Sequence, residues 1–372
     1  MDELATSDCH RGAATSKPVL LTVSGEIPET ISIDIAREAR PRADYLELAR
    51  RLDADLIDYA KARNVCGWMG RWIERLCGRN ALLACACWLQ RKRYQAIVTD
   101  GEQIGLPLAV LFKVSPSRRR PRHIMITHVI SASKKTLLMD YLRLASAIDH
   151  FVVYCRWQHD YLRSRWNIAP IRIDVVPFMV DERFFDPAKV HRQEFPRPRI
   201  CSVGLERRDY PTLMRAVEGL DIDVIIAAAS PWSKQRDSTA DHAVPKNVFV
   251  RKFTQFELRQ LYADCELVVM PLQAVQFQAG ITAILEAMAM SKPVICSKTA
   301  GQGDVIVAGE TGSYVPVGDA AALRAEITRL LGRPDEILRL GTNARAAVVR
   351  ALSLDHYAKR LSAIVKKTRE RA

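Results

Sequence analysis

The stretch from Pro271 to Gly318 decides the fold, and it reads PLQAVQFQAGITAILEAMAMSKPVICSKTAGQGDVIVAGETGSYVPVG. A polar turn at 278–280 precedes apolar residues that recur at helical spacing, which predicts a short helix over 281–290 that ends before Pro293. The apolar run 294–296 is too short for anything but a buried strand, and a glycine loop at 301–304 follows it. The pattern predicts a βαβ-type unit.

The start of this helix is suited to binding a phosphate. The first N–H groups of a helix have no partner within the helix, and the helix dipole adds positive potential there. Glu286 lies farther along the same helix among apolar residues. We expect this carboxylate to accept hydrogen bonds from a diol such as a ribose.

These segments resemble a known family. LEAMAMSKPVICS (285–297) and TAGQGDVIVAGETGSYVPVGD (299–319) are similar to the donor-binding half of the retaining GT-B glycosyltransferases, which use nucleotide-diphosphate sugars. The family carries two glutamates eight positions apart; here the second is Glu286 and Gln278 takes the place of the first. The resemblance implies that Glu286 holds the ribose, and that backbone N–H groups bind the diphosphate and sugar at Gln278, Ala279, Gly280, Ile281 and Thr282.

The same resemblance extends back to residue 200. A buried strand over 200–203 ends at Gly204, and the family places Gly-Arg and then Lys-Gly in the loop that follows. Here the loop is shorter, and Arg208 aligns best with the family's lysine, with Arg207 as second choice. Such a cation can stabilise the charge that grows on a departing diphosphate. Phe253 is expected to line the pocket for the base.

The first half of the chain matches the family more loosely. Gly25 follows a predicted strand at 18–23, where a glycine lets a ligand approach the backbone. Glu102 lies in a predicted polar loop at 99–105, after the strand 94–98, and is a candidate acceptor-side residue. His128 follows a strand at 123–127, and the segment ITHVISASKK resembles one whose histidine faces the donor sugar. We also expect a helix over 42–60.

Length and composition indicate two domains. The chain has 372 residues, of which 48% are hydrophobic. We predict a disordered start at 1–16, an acceptor-side Rossmann-like domain at 17–190, a donor domain at 191–350, and a helix at 351–372 that crosses back to the first domain.

The cellular compartment and the cofactor requirement are predicted from weaker signals in the sequence. The nine cysteines lack zinc-type spacing, and no signal peptide or membrane span is evident. We therefore predict a cytoplasmic protein that can bind the inner face of the membrane peripherally. Asp221-Ile222-Asp223 begins a predicted strand rather than ending one, so no metal site is predicted. The nucleotide sugar is a co-substrate, and no other cofactor is expected.

The net charge of +13 is concentrated in one region. Lysines and arginines outnumber acids strongly between Lys61 and Arg122, where Trp68 and Trp72 lie four residues apart on a predicted helix. Basic residues with interfacial aromatics suit an anionic membrane surface. A nucleic-acid surface would give the same count, though we expect no nucleic acid, and a solvated face with buried tryptophans is the plain alternative.

The sequence thus predicts an α/β protein of two doubly wound Rossmann-like domains facing each other across a cleft. The predicted activity is retaining, metal-independent transfer of a sugar from a UDP- or GDP-sugar to a hydroxyl of a glycan or lipid, as in polysaccharide biosynthesis. A nucleotide-sugar epimerase and a glycogen-phosphorylase-like enzyme share this architecture, although no pyridoxal-binding lysine motif is evident. A non-catalytic protein that binds nucleotide sugar and membrane is the alternative from another class.

Overall fold

Two parallel six-stranded sheets form the protein. The computed structural model describes residues 17–371 except 116, 118, 119 and 229–243. The predicted disorder of 1–16 lies outside the described residues. The predicted α/β class with two doubly wound sheets is confirmed.

The first sheet has six strands, which are β1 (Val19–Thr22), β2 (Ala54–Ile57), β3 (Ala96–Asp100), β4 (Arg122–Thr127), β5 (His150–Val153) and β6 (Ile173–Val175). The second sheet also has six, which are β7 (Arg199–Val203), β8 (Asp223–Ala227), β9 (Val248–Arg251), β10 (Leu267–Met270), β11 (Val294–Ser297) and β12 (Gly312–Val315). The helices before β7 are α1 (Ile31–Ala36), α2 (Asp44–Leu52), α3 (Tyr59–Cys77), α4 (Arg79–Gln90), α5 (Glu102–Val114), α6 (Ser133–Leu142) and α7 (Arg156–Trp166). The later ones are α8 (Tyr210–Val217), α9 (Gln255–Asp264), α10 (Ile281–Ala289), α11 (Ala320–Leu331), α12 (Pro334–Ala347) and α13 (Leu354–Glu370).

Each sheet reverses its strand order at one point. The first sheet runs β2-β1-β3-β4-β5-β6, so its order reverses between β1 and β3. The second runs β12-β11-β10-β7-β8-β9, so its order reverses between β7 and β10. Loops that leave neighbouring parallel strands at such a point diverge and leave a crevice at the carboxyl edge, where ligands bind in open α/β sheets. The loops after β7 and β10 hold the candidate site.

The strands are buried because helices cover both faces of each sheet. Strands β1, β10 and β11 are buried along their whole length, as parallel strands in a doubly wound fold require. The α10 helix is also apolar nearly all round and lies inside the second domain, with Ile284 and Leu285 fully buried. Its first turn is therefore fixed by packing rather than by a side-chain cap.

The last helix joins the two halves of the chain. Tyr357, Leu361 and Val365 of α13 pack in the same core as residues of the first sheet. On the same side, Arg42 donates to Asp181 at 2.8 Å and to Asp355 at 3.3 Å. The predicted division near residue 190 falls between β6 and β7.

The structure differs from the sequence-based prediction in the segment after residue 42. The helix expected over 42–60 is wrong, because α2 ends at Leu52 and the edge strand β2 follows it. Asp53 adopts a left-handed conformation with φ 47°, which ends the helix where no glycine or proline marks an end. Helix α12 was not predicted.

Candidate active site

Arg208 lies where the loop after β7 meets the loop after β10 in the second sheet. Its guanidinium donates to the carbonyl oxygen of Val203 at 2.8 and 2.9 Å and to that of Glu206 at 2.7 Å. The residue is only 5% exposed, and it forms no salt bridge among the described residues. Burial lowers the pKa of Arg208, although a guanidinium stays charged at neutral pH. A buried cation that meets only carbonyl dipoles is suited to an anionic ligand.

Two glycines make room for this guanidinium. A Cβ on Gly204 would lie 2.6 Å from the Arg208 Nη2 atom, and one on Gly280 would lie 2.9 Å from it. Both glycines have positive φ, 99° and 78°, a backbone conformation that other residues rarely adopt. The structure thus brings together the predicted Gly204, Arg208 and Gly280, and it places the cation at the residue that precedes α10.

Gln278 lies two residues before Gly280 and has unused hydrogen-bonding capacity. It is 8% exposed, and neither its Oε1 nor its Nε2 atom has a hydrogen-bond partner among the described residues. An unpartnered buried amide costs free energy that a bound ligand can recover. Ala279 and Ile281 are buried beside it, while the Thr282 side chain in the first turn of α10 is exposed. The turn that holds Gln278 therefore ends at Gly280, which lies beside the Arg208 guanidinium at the start of α10.

Glu286 lies one turn farther along α10 and is buried. Its Oε2 atom accepts a hydrogen bond of 2.8 Å from the Tyr262 hydroxyl of α9. Burial raises the pKa of Glu286 to about 7, and the hydrogen bond from Tyr262 offsets only part of that effect. The carboxyl group has lone pairs left for a diol.

A cavity of about 610 Å³ lies between the two halves of the chain beside this region. Arg207, Lys298 and Thr299 line it from the second domain, and Ser131 lines it from the first. Arg207 is exposed and has a left-handed φ of 55°. The cavity therefore combines two cations with polar groups from both domains, a composition suited to a charged polar ligand.

The glycine loop after β11 supports the turn before α10. The Gln302 Nε2 atom donates to the Ala279 carbonyl, and Tyr314 donates to the Gln302 carbonyl. A Cβ on Gly301 would lie 2.4 Å from the carbonyl carbon of Phe277, so only glycine allows this close approach. The loop fixes the backbone whose N–H groups face the ligand region.

His128 faces the cleft from the first domain. Its Nε2 atom lies 3.0 Å from Asp100 Oδ1, and its ring centroid lies 5.2 Å from that of Tyr154. Burial disfavours the imidazolium, but the hydrogen bond and the charge of Asp100 outweigh it, so the pKa of His128 is raised. Burial and the nearby Asp100 raise the pKa of Asp44 to about 6. These groups form a polar cluster at the carboxyl edge of the first sheet.

Gly25 lies near this cluster through its neighbour Ser24. The Ser24 hydroxyl donates to the Asp100 carbonyl at 2.9 Å. A Cβ on Gly25 would contact nothing within 4 Å, and its φ is not positive, so the backbone does not require glycine there.

Glu102 is not the loop carboxylate that the sequence predicts. It is the first residue of α5 and is fully buried. Its Oε1 atom accepts the Val129 N–H at 2.6 Å, and Oε2 accepts Lys135 Nζ at 3.2 Å. Both oxygens therefore hold the segment after His128 in place. The loop assignment is wrong because Gly101, with φ 96°, starts a helix directly after β3.

Phe253 lines a different cavity of about 450 Å³, formed with Phe249, Phe256 and other residues of β8, β9 and α9. That cavity shares no lining residue with the one beside Arg207. No group of three His, Cys, Asp or Glu side chains that could hold a metal ion occurs among the described residues. Asp223 of the Asp221-Ile222-Asp223 triplet pairs with Arg197 at 2.8 Å.

Several candidate residues escape sequence reasoning. Three of them are Asp100 at the end of β3, Lys298 directly after β11, and Gln302 in the glycine loop. No motif of the chain predicts them as site residues. Asp304 is another, because its Oδ2 atom accepts the backbone N–H of Arg156 at 2.7 Å across the cleft. A polar side chain at the end of a strand or directly after it is the signal that could have found Asp100 and Lys298.

Comparisons with known proteins agree with this geometry. Residues 203–333 match the family model described as "Glycosyl transferases group 1". Over 235 residues the chain is 27% identical to MMP alpha-(1->4)-mannosyltransferase of Mycolicibacterium hassiacum, an alignment that covers 60% of this chain and 56% of that protein. The chain thus matches little more than half the length of that curated relative.

Solved structures show the same fold. Sucrose-phosphate synthase from Thermosynechococcus elongatus superposes with a TM-score of 0.72 at 17% identity over 96% of this chain and 100% of its own. Anabaena HepE, solved in complex with UDP-glucose, gives 0.68 at 14% identity over 94% of this chain and 99% of its own. The protein therefore has the fold of GT-B glycosyltransferases. Its second half carries the sequence pattern of glycosyltransferase group 1, and the predicted resemblance is confirmed.

Proposed function

We propose that the protein transfers a sugar, with retention of anomeric configuration, from a UDP- or GDP-sugar to a hydroxyl of a glycan or lipid. The observation that carries the proposal is the buried Arg208 guanidinium, which lies beside Gly280 at the start of α10 and whose partners among the described residues are carbonyl oxygens. A diphosphate would supply the missing negative charge. The UDP-glucose complex of HepE and the mannosyltransferase relative support a nucleotide-sugar donor.

The proposed chemistry is a front-side displacement. The acceptor oxygen forms a bond to the anomeric carbon on the face from which the diphosphate oxygen departs, and the acceptor proton passes to the departing diphosphate. Arg208 and the N–H groups of α10 stabilise the charge that grows on that leaving group. Gln278 is too weak a nucleophile for a covalent glycosyl intermediate, so we assign it to orienting the donor sugar. In this proposal the protein's own cations meet the phosphate charge, and no metal ion is required.

The remaining site residues receive roles on the same proposal. Glu286 holds the ribose hydroxyls, and Arg207 and Lys298 attract the phosphates into the cavity that they line. His128, oriented by Asp100, contacts the donor sugar or assists the acceptor proton from the first domain. Closure of the two domains over the donor would exclude water and limit hydrolysis.

A donor screen with variants tests this function. We expect at least one UDP- or GDP-sugar to raise the melting temperature, since a ligand that binds only the folded state stabilises it. Arg208→Gln should lower turnover by about a hundredfold, with a smaller effect on donor affinity, because its interaction strengthens in the transition state. The matched control is Arg324→Gln, which also removes a guanidinium bound to backbone carbonyls but lies away from the site.

Three outcomes would contradict the proposal. The first is that no nucleotide-diphosphate sugar stabilises the protein, and the second is that Arg208→Gln and Arg324→Gln behave alike. The third is that the donor is epimerised or bound without any transfer to glycan or lipid acceptors, which would favour the epimerase or the non-catalytic binding protein. The anomeric configuration of the product, read by NMR, decides between retention and inversion.

A further inference from the structure

Helix α3 presents a stripe of exposed apolar side chains. Trp68 is 70% exposed, Trp72 59% and Leu76 77%, and Met69 is 45% exposed beside them. Large apolar side chains that are this exposed and contiguous mark an interaction surface. We propose that this stripe, with Arg71 and Arg75 along its edge, is a docking surface for an anionic phospholipid membrane.

The geometry of α3 explains why the stripe is left uncovered. Gly67 leaves the helical conformation with φ 54° and ψ −137°, so the residues after it form a separate helical segment. In that segment positions 68, 72 and 76 fall on one face, because residues four apart are neighbours along a helix. The opposite face packs closely, since a Cβ on Gly70 would lie 3.3 Å from Leu82 of α4. The stripe therefore lies on the outer side of this helical segment, and the inner side packs against α4.

The cations near the stripe are free to meet a partner. Arg71 and Arg75 are exposed and form no ion pair among the described residues. The only acid of α3 is Glu74, which is engaged by Arg63 at 2.8 Å and by Arg79 at 3.2 Å. Local charge on the outer face is therefore positive.

The structure also narrows the basic region that the sequence singles out. Arg120 and Arg122 both pair with Asp149, at 2.6 and 3.1 Å, so their charges are met within the domain. Arg118 and Arg119 of the same run lie outside the described residues. The alternative of buried tryptophans is wrong for Trp68 and Trp72, since both are more than half exposed. The outer face of α3 is therefore the part of the region 61–122 that combines exposed tryptophans with arginines that form no ion pair among the described residues.

The combination of groups favours a lipid surface over other partners. Tryptophan side chains settle at the level of lipid headgroups, and arginines beside them meet anionic phosphates. A second copy related by twofold symmetry would bring the same stripe and the same arginines toward each other, with like charges near one another. A nucleic acid would use the arginines but would leave the apolar face of Leu76 and Met69 without a partner.

Vesicle cosedimentation tests the proposal with the full chain. We expect binding to vesicles of phosphatidylcholine mixed with phosphatidylglycerol, little binding to phosphatidylcholine alone, and weakening with salt. The double variant Arg71→Gln with Arg75→Gln should weaken binding about thirtyfold, because each arginine near an anionic surface contributes roughly fivefold to the affinity. Trp68→Ser with Trp72→Ser should abolish the blue shift of tryptophan fluorescence on vesicles.

Matched controls test whether vesicle binding depends on this face of α3 rather than on the total charge or hydrophobicity of the protein. Lys366→Gln with Lys367→Gln removes the same charge from α13, and Leu338→Ser removes a side chain that is 71% exposed on α12. Both controls should bind vesicles like the unaltered protein, and all variants should keep its far-UV circular dichroism.

The proposal fails if the stripe variants bind vesicles as well as the controls do. It also fails if Trp68→Ser with Trp72→Ser dissociates a dimer in sedimentation velocity without any vesicle binding, which would assign the stripe to a second copy. Binding to an oligonucleotide but not to anionic vesicles would overturn it as well. None of these measurements depends on sugar transfer.

Discussion

At the scale of single residues, Glu286 makes the free energy of unfolding of the protein without ligand depend on pH. Its pKa rises from an ordinary 4.5 to about 7 in the folded protein because of burial. The folded state therefore takes up a proton that the unfolded chain has lost at intermediate pH. This contribution is complete below about pH 4.5 and is lost as the pH rises through about 7, by up to about 3 kcal/mol.

The prediction is that Glu286→Gln removes this pH dependence. Urea unfolding from about pH 5 to about pH 8 should show a smaller fall in unfolding free energy for Glu286→Gln than for the unaltered protein. Other groups titrate equally in both proteins, so the difference between the two curves isolates Glu286. Parallel curves would show that the carboxyl is not buried as the structure has it. The same variant should bind the donor more weakly.

Sequence reasoning reaches some residues of the site and not others. Arg208, Gly280 and Glu286 lie in segments with local patterns, namely a strand-ending glycine or an apolar helix with one acid, and the structure brings Arg208 and Gly280 together. Asp100 ends β3 and Lys298 directly follows β11, positions that a polar side chain at the end of a strand signals but that no motif of the chain marks. Glu102 shows the reverse case, because a polar residue after a strand can serve to hold the neighbouring segment.

At the scale of elements, the start of α10 depends on Gly280. Gly280→Ala introduces a Cβ 2.8 Å from the Met270 sulfur and 2.9 Å from Arg208 Nη2, at a φ of 78°. We expect a loss of roughly 1–3 kcal/mol in unfolding free energy from backbone strain and crowding, and a displaced guanidinium. Donor stabilisation in a thermal shift assay should fall sharply.

Gly318→Ala is the matched control, because its φ of 76° is nearly the same and its Cβ would contact nothing within 4 Å. It should lose stability from strain alone and keep donor binding. If both variants bind the donor equally, the position of the Arg208 guanidinium does not depend on Gly280. That result would contradict a diphosphate site at the start of α10.

The elements themselves are predictable where burial is complete. Strand β11 begins with the apolar run 294–296 and is buried throughout, and the predicted strand ends one residue before the observed one. The edge strand β2 is buried only at its two ends, so it lacks both a continuous apolar run and a clean alternation. Its start also follows a left-handed aspartate, Asp53, where a helix prediction has no reason to stop.

At the scale of the whole molecule, a contact between the glycine loop at 301–304 and the start of α7 links the two domains across the cleft. Asp304 of the glycine loop accepts the Arg156 N–H at the start of α7, at 2.7 Å, and its carboxylate lies 3.9 Å from the Arg156 side chain. A carboxylate at a helix start is favoured by the unpaired N–H groups and the dipole. A separate set of contacts, from Arg42 to Asp181 and Asp355, links the first domain to the segment before β7 and to α13.

We predict that Asp304→Ala shifts the molecule toward a more open arrangement. One charge-assisted hydrogen bond at a partly exposed site contributes about 1 kcal/mol, so the ratio of closed to open molecules should fall roughly fivefold. Donor KM should rise by a similar factor, hydrolysis of donor relative to transfer should increase because closure excludes water, and small-angle scattering should show a larger radius of gyration. The matched control is Asp160→Ala, since Asp160 is an exposed acid of α7 whose partner among the described residues is the adjacent His159. Equal scattering and equal hydrolysis in the two variants would show that Asp304 does not hold the cleft closed.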